Sequence, residues 1–201
     1  MFLPNWRYDG VDPGLKLFTL ANEKLPDVVG LPFVFEVGCC DTDFLERVAP
    51  QVAYAYGIDW RIRRGPHPEV IRGDVLTHVF DHDIHHRPDA TVALSAIEHV
   101  GLGHYDMDPV DVYGDVKALQ RLRDHAAAGG FIYFDVPYAP EGYYVDGTKC
   151  RVYDDQALRE RFGPHEVLGY TLPSVNGWIE KPEKNCTAPK PYYYVAILIR
   201  S

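Results

Sequence analysis

Three carboxylates lie at or near the ends of successive apolar runs that we predict to be parallel strands. The runs are residues 33–37, about 52–58 and 70–74, and the acids are Glu36, Asp59 and Asp74. The carboxyl ends of parallel strands meet at one edge of a sheet, where open α/β folds bind their ligands. Asp59 lies 21 residues beyond Gly38, the spacing at which a second strand offers a carboxylate to ribose hydroxyls. The acids therefore predict a site for a nucleoside cofactor.

The turn after the first run discriminates between nucleoside cofactors. Gly38 allows the sharp turn that exposes backbone N–H groups to a ligand. A dinucleotide fingerprint, G-x-G-x-x-G, needs two further glycines, but Cys40 and Asp43 occupy those positions. Because a carboxylate there would repel a pyrophosphate, the turn disfavours NAD and FAD.

A second polar stretch follows the fourth predicted strand, residues 91–97. Ser95, Glu98 and His99 fall at its carboxyl end, where an open α/β sheet places its chemistry. An imidazole can accept a proton from an acceptor group, so His99 is the first candidate for a catalytic base and Glu98 the second. The alternative is structural: Glu98 caps the following segment, and His99 packs beside the cofactor without a chemical role.

These motifs, taken in order, resemble those of the class I S-adenosylmethionine-dependent methyltransferases. The first motif of that family is roughly [DE]-x-G-x-G-x-G, and the chain matches its first two marked positions with Glu36-Val-Gly38-Cys-Cys40-Asp-Thr42. The run Ser95-Ala-Ile-Glu-His-Val-Gly-Leu-Gly103 is similar to one in small bacterial methyltransferase-like proteins, many of which are thought to act on sugars or glycans. The resemblance covers roughly residues 30–170.

The resemblance implies an α/β fold, a Rossmann-like three-layer sandwich with a seven-stranded, mostly parallel sheet and an antiparallel last strand. It also implies S-adenosylmethionine as the cofactor, with Asp59 at the ribose, Asp74 at the adenine edge and Gly38 at the close backbone approach. The predicted cofactor-binding residues are Glu36, Gly38, Cys39, Cys40, Asp59, Trp60, Asp74, Val75 and Ser95.

The resemblance bears on metal binding as well. Methyltransferases of ubiquinone and small-RNA pathways carry an E-x-x-E-H pattern that binds a divalent metal and orients an acceptor hydroxyl. This chain has Glu98 and His99 but Ser95 in place of the first acid, so we expect no metal there. The histidine-rich segment 76–88 has no diagnostic ligand spacing and is interpreted as polar surface.

Three loops are expected to form the acceptor side, residues 101–109, 137–153 and 173–191. The predicted substrate-binding residues are His104, Tyr105, Tyr138, Tyr143 and Arg151. A tyrosine can stack on a planar or sugar group, and an arginine can pair with an anionic one. The alternative for Arg151 is that it bonds backbone carbonyls and holds its own loop in place.

Length and charge bound the class of protein. A chain of 201 residues suits one α/β domain, with residues 1–30 as an N-terminal arm and helix. It has neither an apolar stretch of spanning length nor a signal-peptide pattern, so we expect a cytoplasmic protein. A net charge of −9 disfavours nucleic acid as a partner, and the cluster Arg61, Arg63 and Arg64 is interpreted as a solvated loop.

The sequence thus predicts a methyltransferase for a small-molecule, sugar or glycan acceptor, methylated at a hydroxyl. The alternatives are a nucleoside-binding module of the same fold without catalysis and a nucleic-acid methyltransferase. The remaining predicted elements are helices at about 110–128 and 154–162 and strands at 131–136, 165–170 and 192–200.

Overall fold

A computed structural model describes most of the chain. The described residues are 18, 21, 24–26, 30, 32–40, 42–61, 69–82, 86–103, 110–147, 150–172, 177–183 and 193–201. The strands are β1 (Phe33–Val37), β2 (Tyr54–Asp59), β3 (Glu69–Arg72), β4 (Ala90–Ala93), β5 (Phe131–Tyr138), β6 (Tyr144–Val145), β7 (Arg151–Val152), β8 (Glu166–Thr171) and β9 (Tyr193–Arg200). The helices are α1 (Phe44–Val48), α2 (Gly114–His125) and α3 (Asp155–Phe162), with 3₁₀ turns at Ala49–Gln51 and Ile97–His99.

Seven of the described strands form one sheet in the order β3-β2-β1-β4-β5-β9-β8. The pairs from β3 through β5 are parallel, whereas β9 is antiparallel to both β5 and β8. This order confirms the predicted Rossmann-like sheet with an antiparallel last strand. Short antiparallel β6 and β7 form a separate hairpin.

Apolar side chains pack on both faces of the sheet, so that its central strands are buried on both sides. On one face Phe44 of α1 packs edge-on against Phe18, which in turn meets Tyr133 of β5, with ring centroids about 5 Å apart. On the other face α2 and α3 pack on the sheet, and Phe162 of α3 meets Phe134 at 5.1 Å. The helices therefore form the outer layers of a three-layer sandwich.

The fourth strand is shorter than predicted. It covers Ala90–Ala93 rather than residues 91–97, and residues 97–99 form a 3₁₀ turn. The physical reason lies at Ser95, whose φ of +46° turns the chain out of the extended conformation. This early end brings Ser95, Glu98 and His99 onto a turn at the edge of the sheet.

The segment 137–153 was predicted to be a loop, and the structure contains three short strand segments within it, at residues 137–138, 144–145 and 151–152. Strand β5 continues through Tyr138, because its last two residues still pair with β9. The Pro137 carbonyl also accepts from Tyr153 N at 3.0 Å. Tyr144 then pairs with Val152 in the β6–β7 hairpin. The segment is thus anchored to the sheet at both ends.

Several predicted segments lie wholly or partly outside the described residues. They are most of 1–30, residues 104–109 of the first acceptor-side loop, and residues 173–176 and 184–191 of the third. Within the third loop, Ile179 forms an antiparallel bridge to Tyr170. None of the helices in the described part of the chain combines the length and apolar character needed to cross a bilayer.

Candidate functional site

A pocket lies at the carboxyl edge of the sheet, where β2 and β4 flank β1 on opposite sides. The chain runs from β1 outward to β2 and β3 on one side and from β4 to β5 on the other, and such a reversal of strand order opens a crevice between β1 and β4. The predicted residues that line the pocket are Gly38, Asp59, Trp60, Asp74, Val75, Ser95 and His99. The structure thus brings together residues from the ends of four strands.

Gly38 makes the turn after β1. Its φ is +78°, a conformation that favours glycine, and its N–H donates to Ile58 O at 2.9 Å. A Cβ at this position would lie 2.9 Å from Cβ of Ala96. The glycine therefore lets the β1 turn and the turn after β4 approach closely.

The Asp59 carboxylate ends β2 and is almost fully buried. It accepts hydrogen bonds from Cys40 N at 3.0 Å and Arg61 N at 2.8 Å. Arg61 also donates from Nε and Nη2, each at 3.1 Å, in a bidentate pair. Backbone and side-chain donors together hold both carboxylate oxygens in place in the pocket wall.

Asp74 follows β3 and is also almost fully buried. Its Oδ1 accepts from Leu76 N at 2.8 Å, and its backbone carbonyl accepts from His78 N at 2.8 Å. The side chain therefore closes a tight turn, an arrangement typical of aspartate. The turn places Asp74 and Val75 in the pocket wall.

Ser95 is fixed by a buried acid on the neighbouring strand. Its N–H and Oγ donate to Asp135 Oδ1 of β5 at 3.1 and 3.3 Å. These bonds hold the left-handed backbone at Ser95, a strained conformation that clusters at functional sites. Asp135 thereby positions the turn that carries Glu98 and His99.

The remaining predicted cofactor residues, Glu36, Cys39 and Cys40, are not among the described residues that line the pocket. Glu36 is fully buried and accepts from the hydroxyl of Thr42, which does line the pocket. Burial raises the pKa of the Cys39 thiol, which packs toward Gly57. Glu36 and Cys40 therefore contact residues of the pocket wall, Thr42 and Asp59, without lining the pocket themselves.

Glu98 and His99 lie side by side on the 3₁₀ turn. His99 is partly exposed in the pocket, whereas Glu98 is 1% exposed, with Oε1 3.9 Å from His99 Nε2. Burial raises the pKa of Glu98 to about 8. Cys150, from the segment before β7, brings its Sγ within 4.8 Å of ligand-type atoms of both residues.

The described residues that were predicted to contact the acceptor do not line the pocket. Arg151 is fully buried and donates to the carbonyls of Glu98, Val100, Asp111 and Val112 at 2.6–3.4 Å. It therefore ties the turn to the start of α2, and pairing with an anionic ligand group is excluded by its burial.

The two described tyrosines of this set also lie away from the pocket lining. Tyr138 is buried, with its hydroxyl on Asp155 at 3.2 Å. Tyr143 is exposed and packs on Tyr153 and Arg161. The other two candidates, His104 and Tyr105, lie outside the described residues.

Several residues at the pocket were not predicted from sequence, among them three with polar side chains. Thr42 and Arg61 line the pocket, and Asp135 holds Ser95. Arg61 was wrongly interpreted as part of a solvated loop. Its position two residues after Asp59 was the available signal, because a guanidinium there can fold back onto the carboxylate.

Comparison with known proteins places the fold. A family model described as "Caenorhabditis protein of unknown function, DUF268" matches residues 77–166. No curated protein matches the chain.

Similar solved structures are methyltransferases. The 1,6-didemethyltoxoflavin-N1-methyltransferase of Burkholderia thailandensis has a TM-score of 0.62 at 11% identity, over 96% of this chain and 79% of that one. The N-methyltransferase NodS of Bradyrhizobium japonicum WM9 has 0.57 at 13%, over 93% and 92%. The amino pentose methyltransferase CalS10 of Micromonospora echinaspora has 0.56 at 15%, over 93% and 90%. At these identities the likeness establishes the fold, which is that of class I methyltransferases.

Proposed function

We propose that the chain is an S-adenosylmethionine-dependent methyltransferase that acts on a hydroxyl of a small molecule, sugar or glycan. The observation that carries this proposal is the convergence of Gly38, Asp59, Asp74 and Ser95 on one pocket at the strand-order reversal. Similar structures were solved with S-adenosylmethionine or S-adenosylhomocysteine bound, which supports the choice of cofactor.

The pocket wall suits an adenosyl group. The carboxylate of Asp59 can accept from the two ribose hydroxyls. Asp74, which lines the pocket with Val75 and Gly73, can accept from an adenine edge. Apolar Val37, Ile58 and Val75 offer a surface for the base. Carboxylate acceptors and apolar walls are what a nucleoside requires.

The altered glycine loop leaves room for the ligand. The Cys39 thiol is buried in the core beside Gly57, and Cys40 Sγ donates to Arg61 O at 3.5 Å. Neither side chain is among the described residues that line the pocket. This arrangement supports binding of a methionine carboxylate by backbone, rather than a loop that fills its own site.

Methyl transfer would be an in-line displacement in the pocket. The acceptor oxygen attacks the methyl carbon, the C–S bond breaks as the C–O bond forms, and S-adenosylhomocysteine leaves as a neutral thioether. Alignment of the two groups supplies much of the rate. His99 can serve the acceptor in two ways, by accepting its proton or as the ligand of a metal ion that binds the acceptor oxygen.

Exposed aromatic side chains outside the pocket lining offer a second surface, which suits an acceptor with flat or sugar-like faces. Tyr113 and Tyr143 are exposed, and the Arg161 guanidinium lies 5.6 and 5.0 Å from their ring centroids. Exposed tyrosines stack on planar and sugar groups. The solved neighbours include an amino pentose methyltransferase, so a sugar acceptor is known on this fold.

Calorimetric titration with S-adenosylmethionine tests the proposal. We expect the wild-type protein to bind it and Asp59→Asn to bind about 10- to 100-fold more weakly, because hydrogen bonds to a charged group contribute about 1.5–3 kcal/mol. Asp155→Asn, which changes an exposed carboxylate on α3, is the matched control and should bind as the wild type does.

Two further measurements separate the alternatives. NAD should not bind, and equal binding of NAD would contradict the cofactor assignment. Cofactor binding without S-adenosylhomocysteine formation across a screen of sugars and hydroxylated metabolites would favour a non-catalytic nucleoside-binding module. Thermal unfolding of Asp59→Asn would show whether weakened binding reflects the site or a loss of folding.

A further inference from the structure

Three metal-ligating side chains from two separate segments meet beside the pocket. Glu98 and His99 come from the 3₁₀ turn and Cys150 from the segment before β7. One carboxylate oxygen, one imidazole nitrogen and the Sγ all lie within 4.8 Å of one another. Ligand atoms around a tetrahedral zinc are about 3–4 Å apart, so a small contraction would complete the geometry.

The Glu98 carboxylate is short of partners. Among the described residues, its Oε2 has no hydrogen-bond partner although the side chain is 1% exposed. Its Oε1 is 3.9 Å from His99 Nε2, beyond hydrogen-bond distance. Because a buried carboxylate oxygen without a hydrogen-bond partner is costly, a cation at this point would satisfy it.

The guanidinium of Arg151 hydrogen-bonds to backbone carbonyls rather than to the Glu98 carboxylate. Arg151 donates to backbone carbonyls around the turn, including Glu98 O at 3.3 Å, and its Nε lies 3.7 Å from Asp115 Oδ1. The Cys150 thiol makes one long contact, to Arg151 O at 3.7 Å, which a thiolate would give up. A divalent ion with one carboxylate, one thiolate and one neutral imidazole gives a neutral set, the least costly charge to bury.

A second group of ligand-type residues, Cys39, Cys40 and Asp59, does not have these properties. Its carboxylate is already bound by the Arg61 guanidinium and two backbone N–H groups. A metal there would have to displace a cation from Asp59. The comparison favours the group at Glu98.

We propose that Glu98, His99 and Cys150 bind a zinc ion beside the pocket, with the fourth position open toward the acceptor. A sulfur, nitrogen and oxygen set favours zinc over magnesium or calcium, and three protein ligands with an open site are typical of catalytic zinc. This assignment replaces the expectation that the turn binds no metal, because Cys150 supplies the ligand that the sequence pattern lacks.

The role of the ion in catalysis rests on the proposed methyltransferase function, whereas its binding does not. An acceptor hydroxyl in the open position would coordinate the ion, which lowers the pKa of a bound oxygen. The proton would leave to water, the oxygen would attack the methyl carbon, and His99 would act as a ligand rather than as a base.

Cobalt titration of the chelator-treated full chain tests the site. Cobalt(II) replaces zinc and gives a near-ultraviolet charge-transfer band when a thiolate is bound. We expect this band in the wild type, its loss in Cys150→Ser, and its reversal by added zinc. Cys40→Ser, a cysteine of the second group, should keep the band, and Glu98→Gln should weaken cobalt affinity by at least about tenfold.

Several results would overturn the proposal. They are the absence of the band in the wild type, a band that survives Cys150→Ser, and a band lost in Cys40→Ser instead. Circular dichroism of each variant shows that the fold is retained, and Cys150→Ala provides a second variant if Cys150→Ser does not fold. S-adenosylmethionine titration of the same metal-free protein separates the two proposals: cofactor binding without cobalt binding overturns the zinc site alone, and the reverse result contradicts the cofactor assignment alone.

Discussion

The Asp59 carboxylate accepts two hydrogen bonds from a side chain, and both come from the guanidinium of Arg61. The Arg61 side chain is 37% exposed and lines the pocket, so it can rotate away toward solvent. Ribose hydroxyls that bind Asp59 would replace those two donors, while the backbone donors of Cys40 and Arg61 keep the carboxylate in place. Arg61 therefore competes with the proposed cofactor for one acceptor.

Arg61→Gln should tighten binding of S-adenosylmethionine. A partly exposed ion pair contributes about 0.2–1 kcal/mol, so its removal should lower the dissociation constant by up to about fivefold. Calorimetry measures the effect, with Lys181→Gln as the control because its ion pair with Asp155 is exposed and outside the pocket lining. Weaker binding by Arg61→Gln would mean instead that the guanidinium contacts the ligand.

Among the elements, the contact between the turn at 97–101 and the start of α2 fixes the position of His99. Asp111 N donates to Gly101 O at 2.8 Å, and Arg151 bridges Val100 O and Asp111 O. The approach is close enough that a Cβ at Gly114 would lie 2.4 Å from Val100 O. A glycine at the first residue of α2 is therefore required by packing and not by helix formation.

Gly114→Ala should lower the free energy of unfolding by about 1–2 kcal/mol. Alanine favours a helix by about 1 kcal/mol, but overpacking against a carbonyl costs about 1–3 kcal/mol or more, and the second effect is larger here. Urea denaturation measures the change. Gly147→Ala is the matched control, since its added Cβ would have no atom within 4 Å. An increase in stability for Gly114→Ala would show that the turn moves freely and that the contact does not fix His99.

Across the molecule, the pocket joins the ends of strands that are distant in sequence, so ligand binding should stabilise the whole fold. The pocket draws on residues after β1, β2, β3 and β4. A ligand that contacts all four segments can bind the folded chain but not the unfolded one, and such binding adds stability by mass action.

S-Adenosylmethionine at about 100 times its dissociation constant should add about 2.7 kcal/mol and raise the midpoint of thermal unfolding by roughly 5–10 °C. Differential scanning fluorimetry measures the shift. Asp59→Asn at the same ligand concentration should shift by much less, and NAD should give no shift. The same stabilisation in Asp59→Asn and wild type would place binding outside this pocket.

The features predicted from local sequence depend on neighbours along the chain. Apolar runs predicted the strands, and a helix was predicted at about 154–162. The structure has this helix, and Asp154 caps it, because its Oδ1 accepts from Ala157 N at 2.7 Å. Glycine at residue 38 and the acids at 59 and 74 likewise follow from the order of strand, turn and helix. A few adjacent residues suffice for such features, because periodicity and capping act over one or two turns.

Contacts between segments that are distant in sequence could not be predicted from local sequence. Arg151 was a candidate ligand contact by residue type, yet packing buries it against the turn at 98–100. Cys150 had no motif of its own, and its Sγ meets Glu98 and His99 because β7 is anchored beside β5. The amino-acid order thus determined the fold and the residues of the proposed cofactor site. The packing of remote segments determined which side chains reach the proposed acceptor side, since those contacts arise from the positions of whole elements in space.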